Sequence, residues 1–416
     1  MKSNLLRVFF VAAFAPALAA QDVTTVLKGT TLTIKGSVGI DDLSITEAMA
    51  LGSGDGLPQA DVLVTPNNGT TLDGSTDPAT FSGVLKLKVN LGNGSDVLDV
   101  TDLDFAENQV TLNAGPGDDQ VTMTNVTTGI FKFVGSAGND TFDLASCHLG
   151  TTKVTGASGI LTMPATSTYF HDLTLKGGPE GDVVNWTDVT VDFIFKPNFS
   201  GGNDLVTFTD STVGTTVTIK LGGGNDHFTD DGGNYGEFVS LVAGAGDDEI
   251  VFEDSTIGND LNAKLGAGLN QLTLVAQDES MVVGNFGIIK GGALLDAIEL
   301  RALSGFNVQI GNDLIVALKS GANDFEMTGD VGVGNDFFYT GGKLDDVIDM
   351  DAAEVGNDAN LTLAAGFNAA ILNDCLIGND LRITAGDGDD IVELNGDMTI
   401  GGNTLISLGG GNNTQP

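Results

Sequence analysis

Apolar residues in this chain keep a period of two behind a recurring acidic or amide anchor. Phe142 and Leu144 stand two and four residues after Asp140, and the same two positions hold Val184 and Trp186 after Asp182, Ile250 and Phe252 after Asp248, and Leu272 and Leu274 after Asn270. Ile348 and Met350 after Asp346, and Val392 and Leu394 after Asp390, repeat the pattern. Such alternation predicts strands with one buried face and one wet face. The anchors Asp182, Asp204, Asp226, Asp248 and Asn270 are 22 residues apart, and so are Asp346, Asn368, Asp390 and Asn412. A fixed period of this length predicts a solenoid in which each repeat is one coil.

Earlier copies of the anchor are Asp96, Asp119 and Asp140, while a weak copy at Gly156 to Met163 lacks its acid. Asp296 and Asn323 follow their predecessors by 26 and 27 residues, which predicts a loop of about five extra residues in those coils. A second marker, GND, occupies the other half of the coil at Gly258 to Asp260, Gly311 to Asp313, Gly334 to Asp336, Gly356 to Asp358 and Gly378 to Asp380. Each copy follows a β-branched residue and precedes another alternating strand. The predicted fold is all-β, a right-handed parallel β-helix of about fifteen coils, roughly 70 Å long at about 4.8 Å per coil. Residues 1–20 read as a signal peptide, 21–90 as an irregular N-terminal cap with loops from Ala48 to Ser82, and 91–416 as the solenoid. A cap is expected because the first coil of a solenoid is an open sheet edge.

The segment 1–20 carries Lys2 and Arg7, an apolar run from Val8 to Leu18 and a small-residue Ala-Leu-Ala-Ala site, so export to the extracellular space or cell surface is expected. That run is too short to span a bilayer, and no later apolar run is long enough. The chain has 56 acidic and 17 basic residues, a formal charge of −39. This balance points to metal cations as partners and away from nucleic acid, whose phosphates need Lys and Arg. Cys147 and Cys375 occupy one coil position about ten coils apart, far beyond disulfide reach, so both are expected as free thiols in a tightly packed column.

Glycine supplies the backbone freedom of a sharp corner, and Asn and Asp tolerate left-handed conformations, so the anchors have a structural reading at once. Their acidity needs a further term. Stacked coils place the carboxylates about 5 Å apart in a row, where like charges repel unless protonated or bridged. Four corners carry two acids: Asp118 with Asp119, Asp247 with Asp248, Asp345 with Asp346, and Asp389 with Asp390. Bound Ca²⁺ would resolve the repulsion. Gly222 to Phe228, Gly244 to Phe252 and Gly386 to Val392 resemble the G-G-x-G-x-D nonapeptide of the repeats-in-toxin, or haemolysin-type calcium-binding, family. The resemblance implies a parallel β-roll with Ca²⁺ in its corners. It makes Asp96, Asp118, Asp119, Asp140, Asp182, Asp204, Asp226, Asp247, Asp248, Asp345, Asp346, Asp389 and Asp390 the candidate metal ligands. Here a nine-residue unit alternates with a thirteen-residue unit, a departure from the family's contiguous nonapeptides, so toxin or protease activity does not carry over.

No catalytic constellation stands out. His148, His171 and His227 lack metal-ligand spacing, paired acids occur throughout, and Lys176, Lys220 and Lys264 recur at every second coil as a sparse column. A β-helix polysaccharide lyase or glycosidase is the rival reading. The outward column three residues after each anchor mixes Thr with acids, which excludes a uniform ice-binding threonine face. The expectation is a secreted, non-enzymatic structural or adhesive solenoid. Because the last copy stops after Gly402 to Asn413 in mid-coil, head-to-tail self-association into a filament is the alternative.

Overall fold

A computed structural model describes residues 21–48, 60–156 and 159–416. The expected signal segment lies outside the described residues. All regular structure among them is strand, and the strands join into one continuous sheet wound as a parallel β-solenoid of about 14 turns. No helix of the described residues is long and apolar enough to cross a membrane.

One coil shows how the pattern becomes the fold. Strand Glu249–Glu253 follows anchor Asp248, the short strand Thr256–Ile257 follows the next corner, and Leu261–Ala267 returns the chain to the glycine corner before Asn270. Each pairs in parallel with its counterpart one coil on: Ile250 with Leu272, Ile257 with Val283, and Lys264 with Lys290. Residues two and four after the anchors point inward as the alternation requires, and Phe142, Leu144, Val184, Ile250, Phe252, Leu272, Ile348 and Met350 are fully buried. Aromatic rings continue the column from coil to coil, with centroids 4.9 Å apart for Trp186 and Phe208, 5.6 Å for Phe208 and Phe228, and 5.3 Å for Phe228 and Phe252.

The corner six residues after the anchor is left-handed at Asp102, Asn125, Ser146, Asp188, Asp210, Asp254 and Asp374, with φ between 50° and 54°. Short polar side chains tolerate that conformation, which explains why this outward position avoids β-branched residues. Cys147 and Cys375 follow this corner as buried free thiols.

The N-terminal stretch is more ordered than its Gly, Pro and Asp content suggests. Asp42–Glu47 already lies in the stack, pairing in parallel with Val97–Asn113 on one side and antiparallel with Ala60–Pro66 on the other. Ala79–Val84 extends that antiparallel edge. Where a loop is expected, Val62 and Val64 are fully buried, because the short alternation in DVLV supplies an inward face.

Charge is distributed unevenly. In the sheet formed by His148–Thr155, Tyr169–Lys176, Ile194–Asn198, Thr216–Gly223, Phe238–Ala245, Leu261–Ala267 and Gly287–Lys290, Asp172 is the one acid, against Lys153, Lys176, Lys196, Lys220, Lys264 and Lys290. The anchor strands of the later coils have the reverse balance, with Glu249, Glu253, Glu299, Asp324, Glu326, Asp349 and Asp351 against Arg301.

Candidate functional site: an interior ladder of acids

The predicted metal ligands do not share one environment. Every anchor turns its side chain into the stack: Asp96, Asp119, Asp140, Asp182, Asp204, Asp226, Asp248, Asp346 and Asp390 are at most 3% exposed. Each receives a hydrogen bond on Oδ1 from a backbone N–H of the preceding coil. The donors run Asp41 to Asp96, Asp96 to Asp119, Asp119 to Asp140, Asp182 to Asp204, Asp204 to Asp226, and Asp226 to Asp248, at 2.7 to 3.2 Å. Asp41, in the degenerate first corner, is thus the first rung of this ladder. At the weak copy Leu161 replaces the acid, Asp140 donates instead to the Ile160 carbonyl, and the Leu161 N–H restarts the ladder on Asp182.

The ladder then changes composition. From Asp248 onward acid and amide alternate: Asn270, Asp296, Asn323, Asp346, Asn368, Asp390, Asn413. The amides of Asn270, Asn323 and Asn368 donate through Nδ2 to the next acid at 2.8 to 2.9 Å. The last rung is Asn413, one residue beyond the 22-residue expectation, while its neighbour Asn412 donates its N–H to Asp389.

Oδ2 divides the anchors further. At Asp182, Asp296 and Asp346 it accepts the N–H of the glycine four residues earlier, Gly178, Gly292 or Gly342. At Asp96, Asp119, Asp204, Asp226, Asp248 and Asp390 it is buried with no partner. Burial is the largest influence on these carboxyls. It holds Asp96 and Asp140 up to about 7, Asp204 up to about 8 and Asp248 up to about 6, with the backbone donors opposing it. The neighbouring carboxylate adds to the rise at each of these four.

The second acid of each doubly acidic corner points the other way. Asp118, Asp247 and Asp345 are exposed and Asp389 is half-buried. Each accepts an N–H from the following coil: Asp118 from Asn139, Asp247 from Leu269, Asp345 from Phe367, and Asp389 from Asn412, at 2.7 to 2.8 Å. The two acids of one corner therefore lie on opposite sides of the chain and tie it to opposite neighbours. A further ladder lines the GND corners, where Asp313, Asp336 and Asp358 each accept the Asn Nδ2 and the Asp N–H of the next coil.

Two acidic groups escape the sequence reading. Asp230 occupies a core position between Phe208 and Phe252, and it is fully buried with Tyr235 Oη and Ser255 Oγ both donating to it at 2.6 Å. Its carboxyl is pushed up to about 7, chiefly by burial. The sign that could have found it is the single acid in an otherwise apolar column. Asp231, Glu253 and Asp254 bring one ligand oxygen each within 4.8 Å of one another on adjacent coils. Comparison with protein families, with curated proteins and with solved structures finds no match for this chain.

Proposed function

We propose that this chain is an exported structural rod, an extracellular or cell-surface spacer whose interior carboxyls are held together by shared protons. The observation that carries the reading is the interior ladder, interrupted once at Leu161, with its N-terminal half made almost wholly of acids and Oδ2 left over at six of the ladder's acids. A buried carboxylate pair is costly, and one proton between two such oxygens removes both the charge repulsion and the orphaned acceptor. In the C-terminal half an amide stands between successive acids and donates to Oδ1 of the next one, so no two carboxyls are adjacent rungs.

Calcium belongs to this proposal in a secondary place. The ion takes six to eight oxygens, whereas each interior anchor offers at most one free oxygen. In this reading a cation sits among the outward acids, and the convergent oxygens of Asp231, Glu253 and Asp254 are its best place. Export rests on residues 1–20, and a passive role rests on the dispersal of the acids into ladders.

Small-angle scattering together with extracellular fractionation tests the reading. A monomer with a long axis of about 65 to 70 Å, recovered outside the cell, is the expected result. A protein retained in the cytoplasm, or one that hydrolyses or cleaves a polymer under the same conditions, overturns it.

A further inference from the structure

Three hollows lie end to end where the lysine-bearing sheet runs into the glycine corner. The first is bounded by Thr155, Lys176 and Ser200, the second by Ser200, Lys220 and Val242, and the third by Val242, Lys264, Lys290 and Lys319. Shared residues join each to the next, and their volumes are about 480, 530 and 590 Å³. Together they form one groove along the solenoid axis.

Its chemistry is unlike the rest of the molecule. Lys176, Lys220, Lys264, Lys290 and Lys319 are all exposed, and no acid lines any of the three hollows of a chain whose charge is −39. The ion pairs among the described residues are His171 with Asp192, His227 with Glu249 and Arg301 with Glu299, so no lysine is neutralised by a carboxylate. Register puts Lys176, Lys220, Lys264 and Lys290 in one outward column, with Asn198 and Val242 between them. Positive charge therefore recurs at one or two coil spacings, about 5 or 10 Å. Glycines floor the groove, which lets a ligand approach the backbone closely.

We infer that this groove binds a linear anionic polysaccharide, a single chain lying along the axis with its carboxylates over the lysine column. The repeat of an extended sugar chain is close to one coil, so alternate carboxylates meet Lys176, Lys220 and Lys264, and successive ones meet Lys264 and Lys290. The lining has no exposed aromatic side chain on which nucleobases could stack, which single-stranded nucleic acid sites use. A second copy of the chain presents its acids on a broad sheet, which does not enter a corner groove, and it brings its own −39 with it.

The test uses the full chain with polygalacturonate as the probe, measured by affinity electrophoresis and calorimetry at low salt. Methyl-esterified polygalacturonate and an oligothymidylate serve as comparison ligands. The expected result is binding to polygalacturonate, little to its neutral ester, and loss of at least about tenfold in affinity in Lys220→Glu/Lys264→Glu/Lys290→Glu. Lys88→Glu/Lys132→Glu, on strands Lys86–Asn90 and Gln120–Val134 that continue this sheet towards the N-terminus outside the groove, should change affinity less than about twofold. Circular dichroism establishes that the variants are folded, and the corresponding Gln triple replaces the Glu triple if it is not. Absence of binding by the parent chain, equal losses in both variants, or equal affinity for oligothymidylate overturns the inference. So does a charge reversal that changes self-association in ultracentrifugation without affecting polymer binding.

Discussion

The backbone N–H of Asp204 donates to Oδ1 of Asp226 at 2.9 Å, across one coil, while Oδ2 of both residues is buried without a partner. Burial pushes Asp204 up to about 8 and also raises Asp226, and the Asp226 carboxylate adds to the rise at Asp204, as a proton shared along the ladder would require. A carboxyl whose folded pKa lies above its unfolded value of 3.8 binds protons more tightly in the folded state. Its stabilising contribution is complete below the unfolded value and disappears as pH rises through the folded value.

The stability of the whole rod should therefore fall between pH 5 and pH 8.5, because Asp248, Asp96, Asp140 and Asp204 titrate near 6, 7, 7 and 8 in the folded protein. Thermal melting across this range at constant ionic strength measures it. Asp204→Asn, which copies the amide found at Asn270, should flatten the slope and raise the melting temperature at pH 8 above that of the parent. A melting temperature that rises steadily from pH 5 to pH 8.5 would refute the shared-proton ladder.

The inward register predicts an asymmetry between adjacent residues. Phe252 is fully buried, whereas Val251 faces outward. Phe252→Asp places an uncompensated charge in the ring column and should cost several kcal/mol, while Val251→Asp should cost under about 1 kcal/mol. Denaturant melts of the two variants decide it.

Asp230 is retained in the core by its two donors. Tyr235→Phe removes one of them and should cost about 1 to 3 kcal/mol, with the added effect of making stability more sensitive to alkaline pH. Asp230→Leu removes the acid and restores an apolar residue between Phe208 and Phe252, but it leaves Tyr235 Oη and Ser255 Oγ without their common acceptor. The double variant Asp230→Leu/Tyr235→Phe should be more stable than Asp230→Leu alone. Chemical denaturation of the three proteins measures the coupling.

Much of the fold was legible because the alternation and the 22-residue period are local consequences of geometry. Glycine in the corners was equally legible. A Cβ on Gly246, at φ +135°, would stand 1.9 Å from the Gly224 carbonyl oxygen. One on Gly291 would stand 2.2 Å from Asp296 Oδ2. What spacing could not supply was side-chain direction at a corner: Asp247 and Asp248 are neighbours in sequence, yet one faces solvent and the other the interior. The lysine column was obscured for a different reason. Lys264 and Lys290 are 26 residues apart, so the extra loop hides a pair that register places on adjacent coils.

Calcium provides the sharpest separation of inner from outer acids. If protons hold the ladder, millimolar Ca²⁺ or EDTA should leave the interior rungs unaffected, and any rise in melting temperature should come from the outward acids. Asp231→Asn/Glu253→Gln should then abolish that rise, because two of the three carboxylate charges that converge with Asp254 are lost. Asp118→Asn/Asp247→Asn should leave it intact, since each of these acids already accepts a backbone N–H and an amide oxygen replaces it. Substituting the interior Asp226→Asn should leave the calcium response unchanged while altering the pH profile. Differential scanning calorimetry with and without Ca²⁺ reads all three. Loss of the calcium response in Asp226→Asn alone would place the ion on the interior ladder and overturn the assignment of protons to it.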